Sequence, residues 1–208
     1  MTQVKKVIDA STEERIKNAA RAVFQKKGYV AARTRDIAEE AGINLALLNY
    51  YFRSKEKLFE LIMFETLTDF SQGLKDVLND ECTTFEHKVE LLVANYLNMF
   101  TKEPDVPLFI LSEIRNRPED LFAKLPVRQL LENSVFVMQF REKTATGQTK
   151  ESSLLHLMMN LLGATIFPFV GQPLIMALGG VDKPQFNQLM QERKKLIPVW
   201  IEAILKTE

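Results

Sequence analysis

The sequence predicts an all-α protein: an N-terminal three-helix helix-turn-helix domain followed by a larger helical-bundle domain. Apolar residues recur at spacings of three and four along most of the chain, and no alternating strand pattern of useful length interrupts them. Residues 34 to 58 read as two short helices joined by a glycine turn and followed by the start of a third. The expected division is residues 1–58 and residues 59–208.

The elements follow in order from local chemistry. Ser11-x-x-Glu14 is a capping box, after which Ile16, Ala19, Ala20, Val23 and Phe24 keep helical spacing until Gly28 and Tyr29 end the run. Thr34 is expected to cap the second helix, with Asp36 in the first turn where the dipole favours negative charge. Ile37, Ala38 and Ala41 give it a narrow apolar face. Gly42 suits the left-handed conformation that closes a helix, and Ile43 can drop back into the core. Asn44 should cap a third helix with Leu48 and Phe52 buried, Tyr51 at the edge, and Leu45, Ala46, Asn49 and Tyr50 facing outward. Ser54 then caps a fourth helix.

Outward leucine and tyrosine on a solvated helix need a partner. One is the major groove, where Asn49 can hydrogen-bond base edges, Leu45 and Ala46 can touch thymine methyls, and Tyr50 can reach a phosphate. Another is a neighbouring protein surface, since short helix pairs with a glycine turn are common. The alternative function is therefore a helical ligand-binding or protein-interaction module whose head no longer reads DNA.

Glu14-Arg15-Ile16, Ala22-Val23-Phe24, Gly28-Tyr29, Thr34-Arg35-Asp36-Ile37-Ala38, Ala41-Gly42-Ile43-Asn44 and Tyr51-Phe52-Arg53-Ser54-Lys55-Glu56-Lys57-Leu58-Phe59 fall within about the first 60 residues. This segment resembles the N-terminal domain of the TetR family of bacterial transcriptional regulators. The resemblance implies DNA contacts from Thr34 and Arg35, from Asn44, Leu45, Ala46, Asn49, Tyr50 and Tyr51, and from Lys55. Leu45 stands where the family often has a polar or basic residue, and Asn49 where it often has tyrosine. A repressor released from its operator by a small molecule is the implied function.

Charge patterning agrees with that division. The 208 residues carry 27 basic and 27 acidic side chains, yet residues 1 to 60 hold 12 Lys and Arg against 8 Asp and Glu. A basic head on an acidic body suits an end that meets phosphate.

Beyond Ser54, Leu58, Leu61, Ile62, Leu67, Phe70, Leu74 and Leu78 suggest one long helix shared by head and body. Runs at about 85–100 and 107–115 follow, then a helix from about Pro118 to Glu142 bent near Pro126, and a loop at 144–149. Ser152 to Val181 contains no Asp, Glu, Lys or Arg, but His156, Asn160, Pro168, Gln172 and Pro173 interrupt it before a membrane span is reached. It reads instead as a helix apolar nearly all round, covered on one side by its own domain and on the other by an identical subunit. A last helix at about Pro184–Lys206, kinked or broken at Pro198, can lie beside it. The family resemblance implies the same four-helix dimer interface.

The 14 Phe and 8 Met can line an irregular apolar cavity as readily as an ordinary core. The expected effector site lies among Tyr96, Phe100, Phe109, Met138, His156, Met159 and Asn160, with His156 and Asn160 as polar anchors. Enzyme chemistry has no foothold, because no phosphate loop, metal-ligand spacing or nucleophile elbow occurs. Thr84 and Ser153 stand where a Glu-x-x-His pair would need glutamate. No cofactor and no metal are expected. A lone Cys82 and a start without a long apolar stretch suggest a cytoplasmic protein. Its expected partners are a double-stranded, pseudo-palindromic operator, a second copy of the chain, and a small-molecule effector, with no membrane.

Overall fold

The computed structural model describes residues 2–116, 118, 119, 123, 127–150 and 153–206. Among the described residues there are eleven α-helices and no strand. They are α1 (Thr2–Ala31), α2 (Thr34–Glu40), α3 (Leu45–Tyr51), α4 (Lys55–Asn79), α5 (Phe85–Lys102), α6 (Val106–Asn116), α7 (Val127–Glu132), α8 (Val135–Ala145), α9 (Leu154–Val170), α10 (Gln172–Gly179) and α11 (Lys183–Lys206).

The chain forms two compact units: Met1–Leu67 with Pro104–Val106, and Thr68–Glu103 with Pro107–Glu208. The first unit thus reaches Leu67, beyond residue 58, because Leu58, Phe59, Ile62 and Met63 of α4 are buried in its core. They join Ile16, Ala20, Val23 and Phe24 of α1, Ile37 and Ala38 of α2, and Leu48 of α3. Phe24, Tyr29 and Phe59 form an aromatic cluster, with the Tyr29 and Phe59 ring centroids 4.4 Å apart.

Local starts and stops differ from expectation in four places. Ser11 lies inside α1, which begins at Thr2. Gly28, at φ 72°, breaks the helical path near the end of that element. Thr34 is the first helical residue of α2 rather than its cap; extended Arg33 takes that position, and its backbone N–H donates to Asp36 Oδ2 at 3.0 Å. The single helix expected over residues 118–142 is instead divided, since Ser134 caps a new helix, α8, by accepting from the Val137 N–H. The bend expected at Pro126 lies outside the described residues. Finally, α11 runs unbroken through Pro198 and starts from a reciprocal box, in which Asp182 and Gln185 each accept the other's backbone N–H at 2.9 and 2.8 Å.

In the second unit α5 is the central helix. Val89, Leu92, Val93, Leu97 and Phe100 are buried along it, against Phe136 and Phe140 of α8, Leu157, Leu161 and Phe169 of α9, and Phe186, Met190, Ile197 and Ile201 of α11. Phe85 stacks on Phe136 at 4.9 Å, while Phe100, Phe169 and Phe186 pack edge to face at 5.4 and 5.8 Å. No single helix among the described residues is long and apolar enough to cross a membrane. The pair α9 and α10 reaches that length and composition only together, and it is bent by 73°.

Candidate nucleic-acid interface

The turn between α2 and α3 is fixed by its own backbone. Gly42 adopts φ 63° and donates to Glu39 O, while Ile43 N–H reaches Ala38 O, so the two bonds close a Schellman motif. Arg15 Nη2 donates to Ala41 O at 2.7 Å and satisfies another terminal carbonyl. Asn44 Oδ1 accepts the Leu47 N–H at 2.8 Å, which starts α3 directly after the turn.

With Leu48 and Phe52 buried, the opposite face of this short helix is forced into solvent. Ala46, Asn49 and Tyr50 are exposed, and Tyr50 is 78% exposed. Leu45 and Tyr51 are half-buried at the edges, the Tyr51 ring lying edge-on to Tyr50 at 5.4 Å. Leu47 is also exposed, a position the outward set drawn from sequence lacks.

The basic side chains of this unit divide into two groups. Lys17 and Arg21 both pair with Glu65 at 2.8 Å, Lys27 pairs with Asp36, and Arg15 holds Ala41 O. Arg35, Arg53 and Lys57 are exposed and form no side-chain hydrogen bond or ion pair with the described residues. Arg53 and Lys57 lacked a sequence signal because their difference from Lys55 is purely one of packing. Thr34, expected beside Arg35, is half-buried.

Lys55 belongs to the engaged group. Its Nζ donates to Tyr29 O at 2.8 Å and Ala32 O at 3.0 Å, and it lies 4.2 Å from the centre of the Tyr29 ring. The ammonium expected to point at DNA is therefore turned onto the end of α1.

The residues expected to hold an effector are not gathered together. Tyr96 packs on Phe70 at 5.0 Å and on Phe100 at 5.8 Å, and Phe109 is buried. Burial pushes the Tyr96 phenol up to about 12, and its hydroxyl makes no hydrogen bond to a described residue. Met138, His156, Met159 and Asn160 are instead exposed. The cause is the face of α9 that turns inward: Leu157, Leu161 and Thr165 at intervals of four occupy it, which puts His156, Met159 and Asn160 outside. A groove of about 500 Å³ between α5 and α11, lined by His87, Glu90, Lys194 and Pro198 among others, contains none of the seven expected residues.

The family model described as bacterial regulatory proteins, tetR family, matches residues 16–62, the segment that builds this turn and its supporting helices. The probable HTH-type transcriptional regulator YttP of Bacillus subtilis is 22% identical over 200 residues, covering 95% of each chain. Residues 16–62 belong to the tetR family of bacterial regulatory proteins. The fatty acid metabolism regulator protein of the same organism is 21% identical over 162 residues, 77% of each chain. Among solved structures, a TetR transcription regulator from Haloarcula marismortui has the same fold with TM-score 0.61 and 19% identity, covering 95% of this chain and 100% of that one. FadR from Bacillus subtilis in complex with stearoyl-CoA superposes with TM-score 0.56 and 18% identity, over 88% of this chain and 96% of that one. The matched segment is thus a domain of the tetR type, and the relatives that resemble the longer chain are named as regulators.

The second unit carries a further exposed surface. Leu155, Met159 and Phe167 are 67%, 54% and 59% exposed, and with Gly163 they mark one stripe along α9. Leu196, Val199, Trp200 and Ile204 form another along α11.

Proposed function

We propose that the chain is a homodimeric repressor that places α3 of each copy in successive major grooves of a pseudo-palindromic operator and leaves it when an apolar or amphipathic small molecule binds the second unit. The observation that carries the reading is the outward face of α3. A seven-residue helix has no reason to show Ala46, Leu47, Asn49 and Tyr50 to water unless a surface meets it, and the major groove accepts an α-helix presenting this mixture. Asn49 is assigned to base edges, Ala46 and Leu45 to thymine methyls, Tyr50 and Tyr51 to the sugar-phosphate edge. Arg35 with Thr34 would meet phosphate, and the Asn44 amide group stays free to donate while its oxygen caps α3.

The paired stripes on α9 and α11 support the dimer, since apolar side chains on two neighbouring helices exceed what a solvated monomer face normally shows. For the effector, the relative named for fatty acid metabolism and the FadR complex with stearoyl-CoA favour a long acyl chain. Half-buried Phe70 and buried Phe100 and Phe109 offer matching apolar surface, and the Tyr96 hydroxyl offers a polar anchor.

Fluorescence anisotropy with the duplex upstream of the protein's own gene tests this, with stearoyl-CoA titrated in. Tight binding that weakens about 5- to 150-fold with the thioester is expected, and DNA must weaken thioester binding by the same factor. Equal thioester affinity with and without the duplex would refute acyl control.

A further inference from the structure

We propose that Lys55 serves DNA binding as a positioning residue rather than as a phosphate contact, and that Arg53 and Lys57, on either side of it, meet the phosphates. The inference rests on the DNA-binding reading. It begins with two carbonyls that have no helical partner. Tyr29 O would ordinarily accept from the N–H of residue 33, but the Arg33 N–H is spent on Asp36 Oδ2. Ala32 O lies between the end of α1 and the Arg33 cap of α2, where the first bond of the new helix already runs from Ile37 N–H to Arg33 O.

Lys55 satisfies both oxygens with one ammonium and places that charge over the Tyr29 ring, in the first turn of α4. The same tyrosine is held at its N–H by Asp105 Oδ2 at 3.1 Å and at its ring by Phe59. Lys55 therefore ties the start of α4 to the corner from which α2 departs, and so sets where α3 stands. Turning it toward a phosphate would leave two carbonyls without a donor, which is the costly direction for a partly buried backbone.

Arg53 and Lys57 carry no such duty. Both are exposed, their charged groups have no bond or ion-pair partner among the described residues, and they lie two positions either side of Lys55. On α4, a two-residue step points Lys57 well away from the Lys55 direction, so it cannot take over the two carbonyls.

The experiment compares full-length wild type, Lys55→Met, Arg53→Ala and Lys57→Ala. The free proteins are unfolded thermally. Each is then bound at 10 °C, where all are folded, to a mixed-sequence 30-base-pair duplex over a range of salt. Arg53→Ala and Lys57→Ala should leave the Tm unchanged and flatten the plot of log K against log salt by about 0.9 per protomer. Lys55→Met should lower the Tm by about 3–8 °C, weaken binding about tenfold at fixed salt, and keep the wild-type slope.

An unchanged Tm for Lys55→Met overturns the clamp, with or without DNA. A slope flattened by about 0.9 for that variant makes Lys55 a phosphate contact after all. A lowered Tm with unchanged affinity would make it structural only and overturns the positioning role. If wild type binds no duplex even at ~50 mM salt, the DNA-binding reading falls together with the roles of Arg53 and Lys57, while the Tm comparison still decides the clamp.

Discussion

Arg193 Nη2 donates to Ala164 O at 2.8 Å, and Ala164 carries the carbonyl for which Pro168, four residues on, has no N–H. The proline in α9 is thus repaired from α11 by a guanidinium that also lies 5.0 Å from the Trp200 ring, and whose burial lowers its pKa from the ordinary value. Replacing Arg193 by alanine should cost about 2–3 kcal/mol, the sum of an orphaned carbonyl and a lost cation–π contact. In a Pro168→Ala background that cost should fall by about 1 kcal/mol, because the restored N–H at position 168 can take Ala164 O. Urea unfolding of the four proteins measures the coupling. Strictly additive costs would mean that the arginine does not act on that carbonyl.

Base reading and phosphate holding separate by salt. Asn49→Ala should change which duplexes are recovered from a randomised-site selection while leaving the salt slope intact. Arg35→Ala should weaken binding to all sequences and flatten the slope by about 0.9 per protomer. An unchanged sequence preference for Asn49→Ala would remove Asn49 from the base-reading set.

The caps of the head are legible because they depend on partners three residues away. Asn44 on Leu47, Ser54 on Lys57 and the Gly42 turn follow from residue type and spacing alone. The same holds for Leu48 and Phe52, whose burial decides the outward face of α3. The fate of Lys55 is not legible, since it depends on carbonyls 23 and 26 residues upstream losing their usual donors. Along α9 the difficulty is different. Its inward stripe of Leu157, Leu161 and Thr165 and its outward stripe of Leu155, Met159 and Phe167 are both mostly apolar, so periodicity offers no contrast by which to orient the helix. Thr165 adds to the ambiguity: its fully buried hydroxyl returns to Leu161 O at 2.8 Å and looks polar only in sequence.

That orientation makes a sharp prediction for assembly. A charge on the outward stripe, as in Met159→Glu or Phe167→Glu, should give a folded monomer with weakened operator affinity, because two tethered half-site contacts become independent. Leu161→Glu should instead unfold the second unit, since Leu161 is fully buried. Sedimentation velocity and far-UV circular dichroism separate the outcomes. Wild-type-like dimers of both outward variants would show that this stripe is not the interface.

Asp105 gives a test in pH. Its Oδ2 accepts the Tyr29 N–H, but burial raises its pKa above the ordinary carboxylate value more strongly than that bond lowers it. The folded protein therefore holds this proton more tightly than the unfolded chain. The group's stabilisation is complete below the unfolded value, about 4, and is lost as pH rises through the higher folded value. At pH 7 the buried charge is a net cost. Asp105→Asn keeps an oxygen for the Tyr29 N–H without that charge, so it should be at least as stable as wild type at pH 7. Its advantage should shrink as pH falls through the window between the raised folded value and about 4, where wild type alone regains stability by binding the proton. Urea unfolding of both proteins at pH 7, 5 and 4 reads the difference, in which titrations common to the two cancel. An asparagine variant less stable than wild type at pH 7 would show that the Asp105 charge itself stabilises the turn at Tyr29.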